Sequence, residues 1–297
     1  MIVEGNRTMD DKELMNKLRH DEIFNPWLGK VEEFQCNLDF GIRQFILVAD
    51  KIDNYNARIN NGGREFLLKT DIPPQPFIGT PEANIWLLLK NPGFSEIDLY
   101  DCWGDNVPGC RAMRADRVSE ALLQRQRLMI SQYRFAQEKG KEFYLLDESF
   151  HTSAICGKGG YGWYSRYLFP KDGLLTKYCA SESPGDRLMF CSRNIFVLDY
   201  HPYHSEKYCD DGADILKENY WDQLVAHGLV NNKLLVFWGS KILGKVKAQF
   251  KELYDQAVEQ ERVFVLKSAS AYFSSNCLFQ VVGKSGEFLR PYLRLGV

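Results

Sequence analysis

Residues 234–245, LLVFWGSKILGK, decide the fold that we predict for this chain. The apolar residues from Leu234 to Trp238 form a short continuous run, which is typical of a β-strand buried on both faces. Gly239 ends this run, and residues 240–259 are predicted to form a helix. A buried strand that passes directly into a helix is the repeating unit of a parallel sheet in an α/β protein.

Other short apolar runs along the chain share this character. They are NIWLLLK at 84–90, NIFVLD at 194–199 and RVFVLK at 262–267, and helical patterns cover 116–139 and 211–227. Strands separated by helices or long connections indicate a parallel sheet with right-handed crossovers and helices on both faces. We therefore predict a three-layer α/β/α fold with a central four-stranded parallel sheet.

The N-terminal part of the chain has a different pattern. Residues 10–60 have helical periodicity, and the Pro-rich stretch DIPPQPFIGT at 71–80 is expected to be an extended connector. We therefore predict an N-terminal helical segment over 1–75, packed on the core, and an α/β domain over 76–297. The long separation of the first two predicted strands indicates an insertion at about 100–190 in that domain.

Composition excludes several classes of protein. Of the 297 residues, 45 % are hydrophobic and 26 % are charged, as in ordinary globular proteins and unlike disordered, collagenous or coiled-coil chains. The sequence has no run of 18 apolar residues, and its charged N-terminus lacks the apolar core of a secretory signal, so we expect a cytoplasmic protein. The eight cysteines are scattered without a C-x-x-C pair, and we expect neither a metal nor another cofactor.

Charge is unevenly distributed along the chain. The total is −2, from 37 Lys and Arg against 39 Asp and Glu, which argues against general coating of a polyanion. Residues 231–297 carry ten basic and five acidic side chains, a net charge of +5. Because this segment holds the last two predicted strands, we expect contact with a phosphate backbone on one face only.

Ligands of parallel sheets bind at the carboxyl ends of the strands, so the loops after the strands carry the functional predictions. These loops are polar, small or aromatic, which suits a pocket for a small planar ligand. They are NPGFS at 91–95, DYHPYH at 199–204, WGSK at 238–241 and SASAY at 268–272. The sequence contains no phosphate-binding loop, dinucleotide fingerprint or nucleophile elbow.

In this order, the loops resemble those of the uracil-DNA glycosylase superfamily. LLVFWGSKILGK at 234–245 resembles the family motif FLLWGSxAQxK, and LLLKNPGFS at 87–95 resembles the GxNPGxxS form of the mismatch-specific uracil/thymine branch. NIFVLD at 194–199 resembles the family strand LLLLN, and VLKSASAYFSSN at 265–276 occupies the position of the HPSPLS loop. The resemblance covers residues 84–280. It implies a divergent DNA glycosylase-like protein that binds a flipped base at the strand ends, with cleavage of the N-glycosidic bond as the reaction if the chain is an enzyme.

The resemblance, together with the neighbouring residues, predicts three groups of site residues. A catalytic group would hold a water and stabilise the departing base, a second group would contact the base, and a third would contact the DNA backbone. The predicted catalytic residues are Asn91, His201 and Ser268. The predicted base contacts are Phe94, Asp199, Tyr200 and Ser270, and the predicted contacts to the DNA backbone are Pro92, Gly93, Ser95, Ser240, Lys241 and Lys245.

Several of these residues depart from the family pattern in ways that change the expected chemistry. The amide of Asn91 can position a water but cannot accept its proton. Ser268 and Ser270 stand in the loop where the family has a catalytic His, and loss of one such hydrogen-bond donor costs about 10²–10³ in rate. The imidazoles of His201 and His204 are the candidate substitutes.

Asp199 takes the place of the Asn that contacts the base in the family. An ionised carboxylate only accepts hydrogen bonds, so it would favour a base with an exocyclic amine, such as cytosine, over uracil. Alternatively, Asp199 is a capping or hydrogen-bonded carboxylate at a strand end. The aromatic residues near the loops form either a stacking platform for the base or the packing of the insertion, and they are Phe94, Tyr161, Trp163, Tyr164 and Tyr167.

Two other functions are compatible with the sequence. One is a non-catalytic protein that binds nucleic acid or a nucleobase on the same fold, which the departures at Asn91 and Ser268 favour. The other is a hydrolase of a small molecule or nucleoside that uses His201 and His204 and needs no DNA groove. The expected partner is accordingly DNA or a nucleobase-containing ligand and not a membrane, and the sequence identifies no protein partner.

Overall fold

The computed structural model describes residues 9–47, 49–59, 66–90, 92, 120–135, 143–146, 163–179, 181–205, 207, 219–268, 272–279 and 286–294. The strands are β1 (Phe77–Ile78), β2 (Ile85–Leu89), β3 (Ile195–Asp199), β4 (Leu234–Phe237) and β5 (Val263–Val265). The helices are α1 (Asp11–His20), α2 (Val31–Asp39), α3 (Ala49–Ile59), α4 (Glu120–Ser131), α5 (Pro184–Asn194), α6 (Asn219–Val230), α7 (Ser240–Gln249) and α8 (Lys251–Glu259). Shorter helical segments are Leu28–Lys30, Gln132–Arg134, Tyr144–Leu146, Tyr164–Leu168, Ser275–Cys277 and Gly286–Tyr292. Among these residues, no helix combines the length and the apolar character needed to cross a membrane.

The protein belongs to the α/β class, and its central sheet is mixed. Over the described ranges the sheet has five strands in the order β1-β3-β2-β4-β5. The four predicted strands pair in parallel, whereas β1 pairs antiparallel with β3. The prediction of four strands therefore omitted an edge strand. That strand lies in the Pro-rich stretch 71–80, because a sheet edge tolerates proline, whose missing N–H would disrupt a central strand.

Alternate residues of each strand feed one of two apolar clusters, because successive side chains of a strand point to opposite faces. In β3, Ile195 and Val197 pack with α5, while Phe196 and Leu198 pack with α6 to α8 and the N-terminal helices α1 to α3. We call the first side of the sheet the α5 face and the second the α6 face. The N-terminal helices thus share one apolar cluster with the α6 face.

The strand order of the sheet reverses at β2. The chain passes from β2 to β3 on one side, and then crosses the sheet to β4 on the other side of β2. Right-handed crossovers in opposite directions place their helices on opposite faces, as observed for α5 and α6. This reversal separates the loop that follows β3 from the loop that follows β4. Ligands of α/β proteins bind at such a point.

The predicted helical pattern of the N-terminal part is interrupted after α2. Gly41 adopts a positive φ of 71°, which ends the helix, and the N–H of Ile42 donates to the carbonyl of Asn37 at 2.7 Å. Phe45 then lies in an extended segment, where its N–H donates to Thr70 at 2.8 Å and its side chain is fully buried. The apolar pattern around Phe45 suggested a helix, but these residues lie in a loop, from which Phe45 packs into the core.

An ion-pair cluster fastens α1 to the sheet. Oδ1 of Asp11 lies 2.9 Å from Nε2 of His227, and Oδ2 lies 2.7 Å from Nζ of Lys233. Lys233 is buried and directly precedes β4 in the sequence. Burial acts to raise the pKa of Asp11, but the hydrogen bonds from His227 and Lys233 hold it below its ordinary value. The carboxylate thus neutralises a lysine that the fold has removed from water.

Replacement of Asp11 by Asn is expected to lower the free energy of unfolding at pH 7, because the buried Lys233 loses its carboxylate partner. Since Asp11 is itself partly exposed, solvent screens the pair and the expected loss is only about 1–3 kcal/mol. Since the folded pKa of Asp11 is depressed, its contribution is present above the unfolded pKa of about 4 and is lost as pH falls through the folded value. Urea unfolding between pH 7 and pH 3 should show the difference from wild type shrinking in acid. Asp255→Asn, on the exposed side of α8, is the control.

Candidate functional site

Asp199 lies at the end of β3, where the strand order reverses. It is opposite Leu89 of β2, and Trp238 occupies the equivalent position after β4, with its N–H donating to the carbonyl of Leu88 at 2.9 Å. The side chain of Asp199 points to the α5 face and has 0 % exposure. A carboxyl group is thus buried where the strand order reverses.

A glutamine from the edge segment contacts this carboxyl group. Nε2 of Gln75 donates to Oδ2 of Asp199 at 3.2 Å, and Oε1 of Gln75 accepts from the hydroxyl of Tyr144 at 2.9 Å. The backbone holds the two segments together, because the N–H of Gln75 donates to Pro202 at 2.7 Å and that of Asp199 donates to Pro76 at 3.1 Å. The result is a buried polar chain from Tyr144 through Gln75 to Asp199.

Two polar atoms at this position have no hydrogen-bond partner among the described residues. They are Oδ1 of Asp199 and the hydroxyl of Tyr164, both buried. Burial raises the pKa of Asp199 well above its ordinary value, although the hydrogen bond from Gln75 acts in the opposite direction. Burial also raises the pKa of Tyr164, and the nearby Asp199 adds to this rise.

Burial therefore favours the protonated form of Asp199. The sequence-based expectation was an ionised, acceptor-only carboxylate, whereas burial shifts Asp199 toward its neutral form. A protonated carboxyl group has one O–H donor and retains an acceptor oxygen. This pattern is that of an amide, the group that the resembled family has at this position.

A short π-helical segment, Tyr164–Leu168, covers the α5 face beside Asp199. π-Helical turns are rare and are frequent at functional sites. Trp163, directly before it, packs on Trp238 with ring centroids 4.9 Å apart. Tyr167 stacks on the partly exposed Tyr272 at 5.5 Å and an interplanar angle of 29°. Aromatic rings therefore extend from the strand ends to the surface.

Tyr200 and Lys245 were predicted to contact the base and the DNA backbone, and the structure brings them together on the α6 face. The ring of Tyr200 is buried against Trp221, and Nζ of Lys245 lies 4.9 Å from the centroid of the Tyr200 ring. Because Tyr200 follows Asp199 in an extended segment, the two side chains point to opposite faces. The structure therefore places Tyr200 and Asp199 on opposite faces of the sheet.

His201 and His204 are both buried. The N–H of His201 donates to the carbonyl of Lys90 at 3.1 Å, so the loop after β3 continues along the end of β2. Burial lowers the pKa of His201 to about 3, and the nearby His204 contributes to this decrease. At neutral pH, His201 is therefore a neutral imidazole and not the charged acid that leaving-group catalysis would use.

The other described candidates lie at the surface or near it. Ser240 and Lys241 are exposed at the start of α7, Ser268 is exposed after β5, and Pro92 is half-buried. Gly239 joins β4 to α7 with a positive φ of 106°. The remaining predicted site residues lie outside the described residues, and they are Asn91, Gly93, Phe94, Ser95 and Ser270.

Sequence reasoning missed some residues that contribute to this site. Gln75 lies in a Pro-rich stretch interpreted as a connector, and Tyr144 lies between two stretches with no clear periodicity. Lys90 was also not predicted. Its carbonyl accepts a hydrogen bond from the N–H of His201, and its side chain lies beside Gly239. The three prolines around Gln75, at 73, 74 and 76, were the available signal for an extended edge segment.

No family model, no curated protein and no solved structure matches this chain. Functional inference therefore depends on the chemistry and geometry of its own residues.

Replacement of Asp199 by Asn is expected to stabilise the protein increasingly as pH rises above about 4. The folded pKa of Asp199 is raised, so the wild type loses stability as pH climbs from the unfolded pKa toward the folded one, by up to about 1.4 kcal/mol per pH unit. An amide has no proton to lose and avoids this cost. Urea unfolding from pH 4 to pH 7 measures the effect, with the exposed Asp53→Asn as control; parallel pH profiles for Asp199→Asn and wild type would contradict the prediction.

Proposed function

We propose that this chain is a divergent DNA glycosylase-like protein that binds a base flipped out of DNA at the carboxyl end of β2. We also assign its parallel strands to a uracil-DNA glycosylase-like α/β/α fold. The motif positions support this assignment, because the resembled loops follow β2, β3, β4 and β5 in chain order. The basic segment 231–297 supports contact with a polyanion.

One observation carries the proposal, namely the unpartnered Oδ1 of the fully buried Asp199. Buried polar atoms almost always have partners, and an exception in the described part of the chain calls for an explanation. No described Lys, Arg or His forms an ion pair with this carboxyl group. A ligand at the switch point of the sheet would supply the missing hydrogen bond.

The surrounding aromatic side chains suit a planar ligand. Stacking of a base on an aromatic ring contributes about 1–3 kcal/mol and tolerates any base. Because Asp199 has no exposed surface, a base reaches Oδ1 only when the side chains that cover it move aside. Trp163 packs on Trp238, which follows the neighbouring strand β4, so binding is expected to change the tryptophan fluorescence.

The protonated carboxyl group defines the base edge that would fit. Its O–H donor and its acceptor oxygen complement an edge on which a carbonyl oxygen neighbours a ring N–H, as in uracil. Cytosine presents an amine beside an unprotonated ring nitrogen, which is the reverse pattern. We therefore expect uracil to bind more tightly than cytosine in the pH range where Asp199 is protonated.

The non-catalytic alternative is favoured by a separate observation. His201 is buried and neutral, and Ser268 is exposed rather than buried with Asp199. Neither residue is thus arranged to stabilise the negative charge of a departing base. Burial of both His201 and His204 also argues against a hydrolase that uses these imidazoles on a small molecule.

We expect a duplex with a single uracil to bind more tightly than the same duplex without it. Asp199→Leu should weaken binding about tenfold or more, because the base loses its hydrogen-bond partner, while Asp199→Asn should preserve it. Fluorescence titration measures both affinities, with Asp53→Leu on the surface of α3 as control. Equal binding by wild type and Asp199→Leu, or no uracil-dependent binding by wild type, would contradict the proposal.

The same duplexes separate the catalytic from the non-catalytic protein. Substrates that carry uracil, a G·T mismatch, hypoxanthine or cytosine are incubated with the protein and then treated with alkali to cleave abasic sites. Strand breaks identify an N-glycosylase. Tight, salt-dependent binding without breaks identifies a binding protein on the same fold.

A further inference from the structure

Gln75 has both ends of its side-chain amide in use. Its Nε2 donates to Oδ2 of Asp199 at 3.2 Å, while its Oε1 accepts from Tyr144 at 2.9 Å. The side chain is buried, and its backbone is fixed by the hydrogen bond to Pro202 at 2.7 Å. The amide therefore addresses one particular oxygen of Asp199 in a defined orientation.

This contact determines where a proton on Asp199 resides. Oδ2 already receives a hydrogen from Gln75, and a proton on the same oxygen would place two donors against each other. The proton is therefore favoured on Oδ1, the oxygen without a partner among the described residues. Around the carboxyl group, the described titratable side chains are Tyr144 and Tyr164, with Cys191 beside Tyr164.

We infer that Gln75 sets the hydrogen-bonding polarity of Asp199, so that Oδ1 presents a donor to a carbonyl oxygen of the bound base. This inference rests on the proposed function. Gln75 touches no ligand itself and acts through Asp199, which makes it a positioning residue. The specificity of the pocket is thus determined by a residue of the edge segment.

The chemistry of a carboxyl pair predicts how this polarity can be reversed. In Gln75→Glu, a second carboxyl group would face Oδ2, and two buried carboxyl groups in contact share a single proton, because both cannot ionise at this distance. The shared proton lies between Oδ2 and the new side chain. Oδ1 then becomes an acceptor, which complements the exocyclic amine of cytosine rather than the carbonyl of uracil.

The test compares the affinity of two duplexes that carry either uracil or cytosine at one mismatched position, in the pH range where Asp199 is protonated. Wild type is expected to favour uracil, and Gln75→Glu to lower the uracil-to-cytosine affinity ratio by about tenfold or more. Tyr144→Phe, which frees the amide to rotate, should lower the ratio toward one. Gln256→Glu, on the exposed side of α8, adds the same charge as a control.

A ligand-free measurement reports on the contact itself. Titration of the Asp199 carboxyl carbon by ¹³C NMR should show a higher pKa in Gln75→Leu than in wild type, because the hydrogen bond from Gln75 lowers it. Thermal unfolding of each variant identifies any that fail to fold. A merely structural role for Gln75 would change stability and leave the uracil-to-cytosine affinity ratio unchanged.

The two proposals fail in different ways. If wild type binds neither duplex, the proposed function is overturned and this inference with it. If wild type favours uracil but Gln75→Glu and Tyr144→Phe keep the same ratio, only the inference about Gln75 is overturned. An unchanged Asp199 titration in Gln75→Leu also overturns the inference and leaves the proposed function standing.

Discussion

Parallel pairing of β2 with β3 on one side and with β4 on the other brings the carboxyl ends of these strands together. Because parallel strands start and end at the same edges of a sheet, residues far apart in sequence become neighbours there. Asp199 and Trp238 flank Leu89 for this reason. The alternation of side chains then sends Asp199 to the α5 face and Tyr200 to the α6 face.

Two buried ionisable groups differ in whether a neighbouring side chain compensates their charge. Lys233 is paired with Asp11, so its charge is compensated and the pair joins α1 to the sheet. Asp199 has no such counter-charge in the described part of the chain, and a neutral glutamine is its only observed side-chain partner there. An uncompensated carboxyl group costs stability, and such groups cluster at functional sites.

Local pattern was sufficient to identify the parallel strands and the loops that follow them. The observed strands lie inside the predicted runs at 84–90, 194–199, 234–238 and 262–267, because a strand buried on both faces must be apolar throughout. The helix predicted over 240–259 is interrupted at Phe250, between α7 and α8. The edge strand β1 was missed, because two residues among prolines carry no periodic signal.

The site was only partly predictable for a related physical reason. By itself, the sequence determined the α/β class and the strand ends, since these follow from local apolar patterns. The candidacy of Asp199 came from its place at a strand end and from the resemblance of the loops. Only the tertiary structure decided that Asp199 is buried beside Gln75 and Tyr144, that Tyr200 lies on the other face, and that His201 is neutral. Burial depends on contacts between distant segments, and burial determines the protonation state of a carboxyl group or an imidazole.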